Sequence, residues 1–224
     1  MAKSLTSRKQ EFVRDSIYDA AIDLFVRQGF DESSIDDVAR AAGVSRRSFF
    51  RYFGTKDHLL GHTMVRHGDV LVAAVTACPA ESSANQVVHD AVFAGMRFAT
   101  THPRTRQIIE ISSKHPAARQ AHASRRVDVE IQLARAFAAR TRNQTENDVR
   151  PRMLAILTLT VVDPAIFSWF KGEFEDGLKA AENVFASMSH VLNEPVETHA
   201  PRPSSTPAPK AKPAAVKRRK QPIR

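Results

Sequence analysis

Apolar residues recur three and four positions apart along most of this chain, and strict alternation is scarce, so the pattern predicts an all-α protein of about nine helices. Val13, Ile17, Ala20, Ala21, Leu24 and Phe25 share one face, which predicts a first helix over residues 7–29. Ser7 with Gln10 forms its expected capping box, and Gly29 its stop. Ser34 with Asp37 starts a short second helix ending at Gly43, Ser45 starts a third ending near Phe53 and Gly54, and Thr55 opens a fourth that Pro79 stops. Ser83 with Gln86 caps a fifth helix reaching residue 101. Further helices are expected over 105–113, 117–142, from Thr145 with Asp148 to 171 with a kink at Pro164, and over 174–192.

Residues 35–54, IDDVARAAGVSRRSFFRYFG, have the layout of a helix-turn-helix. Two short helices crossing steeply need a small side chain where they touch, supplied by Ala39. The tight turn needs tolerance of positive φ, supplied by Gly43. Ile35, Val38, Ala42, Val44, Phe49 and Tyr52 or Phe53 form the shared core, and Ser45 caps a helix that exposes Arg46, Arg47, Ser48 and Arg51. From spacing alone, an ordinary helical hairpin with a glycine turn remains the alternative.

Charge sharpens that choice. The 224 residues hold 33 Lys and Arg against 24 Asp and Glu, a formal charge of +9. Most of the excess lies in residues 195–224, whose proline-rich, weakly apolar composition predicts a disordered basic tail. Its Lys210, Lys212, Lys217, Arg218, Arg219, Lys220 and Arg224 read either as a solvated remnant or as a tether adding sequence-independent phosphate affinity. Elsewhere acids and bases nearly balance, except between Asp37 and Asp57. No acid occurs there, while Arg40, Arg46, Arg47, Arg51 and Lys56 do. Arg8 and Lys9, Arg46 and Arg47, and Lys56 also stand at the starts of the first, third and fourth helices. Cations there oppose the helix dipole, a placement that suits phosphate oxygens.

The stretch AAIDLFVRQGFDESSIDDVARAAGVSRRSFFRYFGTKDHLL, within residues 8–60, resembles the DNA-binding domain of the TetR family of bacterial transcriptional regulators. It carries the family's Gly-Phe after the first helix, the Ser pair, the Val-Ala helix, Ala-Gly-Val-Ser, the Tyr-Phe end of the recognition helix and a Lys-led fourth helix. The resemblance implies that Ser34 presents its hydroxyl and nearby amides to a phosphate. It implies that Arg46, Arg47 and Ser48, behind the Ser45 cap, face base edges, that Tyr52 and Lys56 hold phosphates, and that Arg51 serves either purpose. Phe50, where the family often has tyrosine, and His58, where an acid is frequent, depart from the pattern. Phe50 and Phe49 could then both be core.

The implied architecture is a helix-turn-helix domain over 1–54, an effector-binding and dimerisation domain over 55–194, and the tail. The implied function is a one-component regulator, a repressor that binds a near-palindromic operator in double-stranded DNA as a homodimer and is released by a small lipophilic effector. Leu154, Ile156, Leu157, Leu159, Val161, Val162 and Ile166 make the eighth helix apolar nearly all round, as a helix buried by its own domain and a partner would be. Aromatic and methionine content selects Met64, Phe93, Met96, Phe98, Phe137, Met153, Phe167, Trp169 and Phe170 as candidate pocket lining. His102 or Arg106 would receive a carboxylate if either points inward.

Alternatives are a DNA-coating architectural protein using the tail, or a helical enzyme. No catalytic motif, phosphate-binding glycine loop or cofactor fingerprint supports the enzyme reading, so no catalytic residue and no cofactor is expected. His58 and His62, four apart with His67 nearby, lack a further ligand pattern, so no metal is expected either. A lone Cys78, the absence of a signal-like start and the lack of an uninterrupted apolar run of spanning length predict a cytoplasmic, nucleoid-associated protein with no membrane partner.

Overall fold

The computed structural model describes residues 4–102, 104–141 and 144–193. Among them the regular elements are nine α-helices: α1 (Leu5–Gln28), α2 (Ile35–Ala41), α3 (Arg46–Tyr52), α4 (Lys56–Ala77), α5 (Ala84–Thr101), α6 (Thr105–Lys114), α7 (Pro116–Ala138), α8 (Val149–Lys171) and α9 (Gly177–Asn193). The basic tail and its expected role lie outside the described residues.

Local chemistry sets most boundaries. The hydroxyls of Ser34, Ser45, Thr55 and Ser83 each accept the amide three residues on, and Asp37 completes the capping box of α2. Helix α7 stops at Ala138 rather than 142 and α9 starts at Gly177 rather than 174, and two helix starts are built differently from expectation. The cap of α1 is Ser4, whose hydroxyl accepts from the Ser7 amide, so Ser7 lies inside the first turn. At α8 the N-cap position is Asp148, whose carboxylate caps no helix amide and instead accepts the preceding Thr145 amide at 2.6 Å. One helix runs through Pro164 to Lys171.

Two apolar cores organise the described residues. The head core joins Ile17, Tyr18, Ala21, Ile22 and Phe25 of α1 to Val38, Phe49 and Phe53, and it also takes in Leu59 and Leu60 of α4, Ile108 of α6 and Ala118 of α7. Packing therefore continues across the boundary expected at residue 54. The body core is built from α4, α5, α7, α8 and α9, around Leu71, Val92, Met96, Leu133, Leu159 and Val162. Helix α4 serves both cores. It runs so close to α7 that a Cβ on Gly68 would lie 2.5 Å from Val129 Cγ2, which is why a glycine stands there.

Helix α8 is long and apolar enough to cross a membrane by length and composition. Its inner face, with Ala155, Leu159, Val162 and Trp169, instead fills the body core. Val149, Met153, Ile156 and Phe167 remain exposed as large apolar side chains on the same helix.

Candidate nucleic-acid interface and effector cavity

The turn between α2 and α3 is set by Gly43. Its φ of 65° lies in the left-handed region, and a Cβ there would meet nothing within 4 Å, so backbone conformation rather than space calls for glycine. The Val44 amide donates to the Ala39 carbonyl at 2.9 Å and the Gly43 amide to Arg40 at 3.1 Å, satisfying the end of α2. Ala39 is buried at the crossing, as its small size requires.

Helix α3 is oriented by Phe49, which is 0% exposed. Burying that ring turns Arg46, Arg47, Phe50 and Arg51 outward and leaves Ser48 and Tyr52 half-buried. The Arg46 guanidinium is held by Asp36 at 2.7 Å and lies 5.6 Å from the Phe50 ring centre. Arg51 covers the Tyr52 ring at 4.9 Å and donates to its hydroxyl at 3.2 Å. Arg47 has no hydrogen bond or ion pair among the described residues, and it is the most available cation on the helix. Phe50, 44% exposed, is not core; it forms part of this outward face.

Ser34 is exposed at the start of α2, but its hydroxyl is engaged with Asp37, donating to Oδ2 at 2.6 Å while accepting the Asp37 amide. Those bonds, foremost the one from the Ser34 hydroxyl, hold the Asp37 carboxyl below its ordinary range.

Lys56, which the resemblance places at a phosphate, is engaged within the chain. Its Nζ points inward, donating to the carbonyls of Phe30 and Ser33 at 2.7 Å each, and sits 4.6 Å from the Phe30 ring centre. The ammonium thus caps the chain leaving α1 and fastens it to α4. Lys56→Met, which keeps the stem and removes the donor, is expected to destabilise the fold by about 1–3 kcal/mol in denaturant unfolding. A variant as stable as the parent would return Lys56 to the surface cations.

A cavity of about 430 Å³ lies between α4, α6, α7 and α8. Its apolar wall comes from Leu60, Met64, Ile108, Ile109, Ile166 and Phe167, and its polar side from Thr63, His67, Ser112, His122, Asp163 and Arg119, whose guanidinium donates to the Ser113 carbonyl. Burial pushes His67 and His122 below the ordinary imidazole range, against an opposing pull from Asp163. Asp163 itself accepts from Arg126 Nε at 2.8 Å.

Of the aromatic and methionine residues expected to line a pocket, Met64 and Phe167 do so. Met96, Phe137 and Trp169 are body core, with Phe93 and Phe170 packed against it. Phe98 stacks on His67 with ring centres 6.1 Å apart, His102 lies 6.2 Å from Phe98, and Met153 is exposed. Arg106 donates to the carbonyls of Trp169 and Phe170 and covers the indole at 4.2 Å, so it closes α8 rather than facing a ligand. Composition ranks bulky side chains, which fill space. A cavity persists where small or polar ones fail to fill it. The available signal was His67 on the otherwise apolar face of Met64 and Leu71.

Two residues of this cavity, Leu60 and Ile108, also belong to the head core. A third, Thr63, shares a 2.5 Å hydrogen bond with the hydroxyl of Tyr18 in the middle of α1. Burial pushes the Tyr18 phenol up to about 12, so it stays protonated.

Residues 17–63 match the bacterial regulatory proteins of the tetR family. The HTH-type transcriptional regulator TcmR of Streptomyces glaucescens is 25% identical over 177 residues, 74% of this chain and 76% of TcmR. The HTH-type regulator AlkX of Mycobacterium tuberculosis is 38% identical over 65 residues, 29% of this chain and 31% of AlkX. The crystal structure of NalD, the secondary repressor of the MexAB-OprM multidrug efflux pump in Pseudomonas aeruginosa, has the same fold. Its TM-score is 0.54 at 19% identity, covering 81% of this chain and 96% of NalD. A TetR transcriptional regulator from Nitrosomonas europaea gives 0.53 at 19% identity, with 80% and 97% covered. Residues 17–63, with this geometry, form a helix-turn-helix head of the tetR family, the head of a DNA-binding transcriptional regulator.

Proposed function

We propose that the protein is a cytoplasmic repressor that binds a near-palindromic operator as a homodimer and releases it when a small, largely apolar molecule occupies the cavity between α4, α6, α7 and α8. One observation carries the DNA half of this reading: burial of Phe49 aims Arg46, Arg47 and Arg51 outward from a single short helix. In the major groove, Arg47 is the base reader, because an arginine fork grips guanine bidentately. Arg46 joins it on exchanging Asp36 for DNA, with Ser48 beside them. Ser34, Tyr52 and Arg51 make backbone contacts that set register.

The dimer is supported by α8. Val149, Met153 and Ile156 follow one another at helical spacing, Phe167 lies on the same face three turns on, and all four are 40–73% exposed, an apolar surface that water penalises and a second copy would cover. A two-fold dimer carries two recognition helices at a fixed separation and therefore reads two half-sites. Occupying the operator excludes other proteins from it, which is repression.

Effector control is supported by the cavity's position. Leu60, Ile108 and Thr63 touch both the cavity and the head, so a molecule that repositions α4 or α6 shifts the head as well. The ligand acts only through its differential affinity for the two arrangements. With burial favouring the neutral form of both imidazoles, Asp163 committed to Arg126 and Arg119 donating to the Ser113 carbonyl, the cavity favours an uncharged molecule with a hydroxyl or carbonyl at one end.

Selection from a random duplex pool tests the reading. The full chain is expected to enrich a two-fold consensus and to bind it as two chains per duplex, as measured by light scattering. Absence of an enriched consensus at moderate salt, or one chain per site, overturns it.

A further inference from the structure

A second cavity, where α1, the turn into α4 and α7 meet, has the opposite chemistry to the first. It encloses about 200 Å³, and its polar walls come from Arg14, Tyr52, His58, His62 and Arg125, with no carboxylate lining it. Neighbouring acids answer part of that charge: Asp128 holds Arg125 at 3.2 Å, and Asp15 lies 3.5 Å from His62 Nε2.

Arg14 is not answered. Its side chain is half-buried, and its Nε is shielded from solvent without a hydrogen-bond partner. Among the described residues the guanidinium makes no ion pair. A guanidinium stays protonated at any physiological pH, so this is a permanent charge with an unsatisfied, buried donor. Such a group is costly unless an acceptor arrives from outside the chain.

We propose that this pocket binds a phosphate-class oxyanion, gripped by Arg14 and Arg125 with Tyr52 and the two histidines closing around it. The guanidinium fork matches a phosphate edge and supplies two parallel donors. The anion comes either from a free phosphate-bearing molecule or from the backbone of bound DNA. Tyr52 connects the two sources physically, because it lines the pocket and ends the recognition helix. The site shares no lining residue with the larger cavity, so it stands independently of the effector reading.

Thermal unfolding of the full chain in inorganic phosphate, against chloride at matched ionic strength, tests the proposal. The parent protein is expected to gain melting temperature saturably with phosphate, because only the folded state offers the site. In Arg14→Met the half-saturating phosphate concentration should rise at least about tenfold, the loss of one charge-assisted contact. Without phosphate that variant should melt no lower than the parent, since it removes an uncompensated charge. Arg125→Gln, altering an exposed ion pair, should weaken the phosphate response without harming the fold. Equal melting in the two salts, or equal phosphate responses in parent and both variants, overturns the site. A random-sequence duplex then separates the sources. A binding-versus-salt slope smaller by about one in Arg14→Met assigns the oxyanion to the DNA backbone, whereas an unchanged slope with the phosphate difference retained assigns it to a free ligand.

Discussion

Replacing Arg47 by alanine should cost the protein its operator while leaving its fold intact. Each lost bidentate contact removes about 1–3 kcal/mol of base discrimination, and the loss counts twice when a dimer reads both half-sites. The side chain is exposed and has no partner among the described residues, so nothing in the head loosens when it is truncated. The expected signature is specific. Affinity for the selected consensus falls by about thirtyfold or more, while affinity for random duplex falls only slightly and the melting temperature does not move. Fluorescence anisotropy on both duplexes at one salt concentration measures the ratio. Equal losses on the two duplexes would mean that Arg47 touches phosphate rather than bases. Arg46→Ala should have a smaller effect, because that guanidinium must first give up Asp36.

The adjacent phenylalanines should separate stability from recognition. Phe49 is 0% exposed and Phe50 is 44% exposed. Phe49→Ala leaves a cavity at the centre of the head and is expected to cost about 3–5 kcal/mol, a large share of the margin of a small helical unit. Phe50→Ala should change stability by no more than about 0.5 kcal/mol. DNA binding is expected to disappear in Phe49→Ala through unfolding of the head, and to weaken in Phe50→Ala within a folded protein, because the ring braces Arg46 on the outward face. Circular dichroism melts beside anisotropy would check both. Similar melting points for the two variants would contradict this division.

The same two residues show how much could be read in advance. The helix-turn-helix layout placed Phe49 in the shared core and left Phe50 undecided. Whether Phe50 joins it depends on where α1 lies, because a seven-residue helix has too few turns for its own pattern to define the edge of a face. Lys56 makes the same point. As a cation opening a helix it looked like a phosphate ligand. Its actual partners are carbonyls of Phe30 and Ser33, more than twenty residues earlier, brought within reach only by the folded head. The cavity between α4, α6, α7 and α8 was the least legible feature, since Thr63, Ser112, His122 and Asp163 come from four separate helices and share no spacing rule.

Taken alone, the order of residues determined the helical class, most caps, the glycine-set turn, the basic third helix and the TetR-like head. These depend on contacts within a few positions: a hydroxyl three residues before an amide, a positive φ at Gly43, a period of 3.6. Tertiary structure alone decided which cations remain free, which aromatic rings are core, where the apolar cavity opens and that Arg14 is enclosed without an acid. Those properties depend on which distant segments meet, and on the space and charge left unfilled when they do.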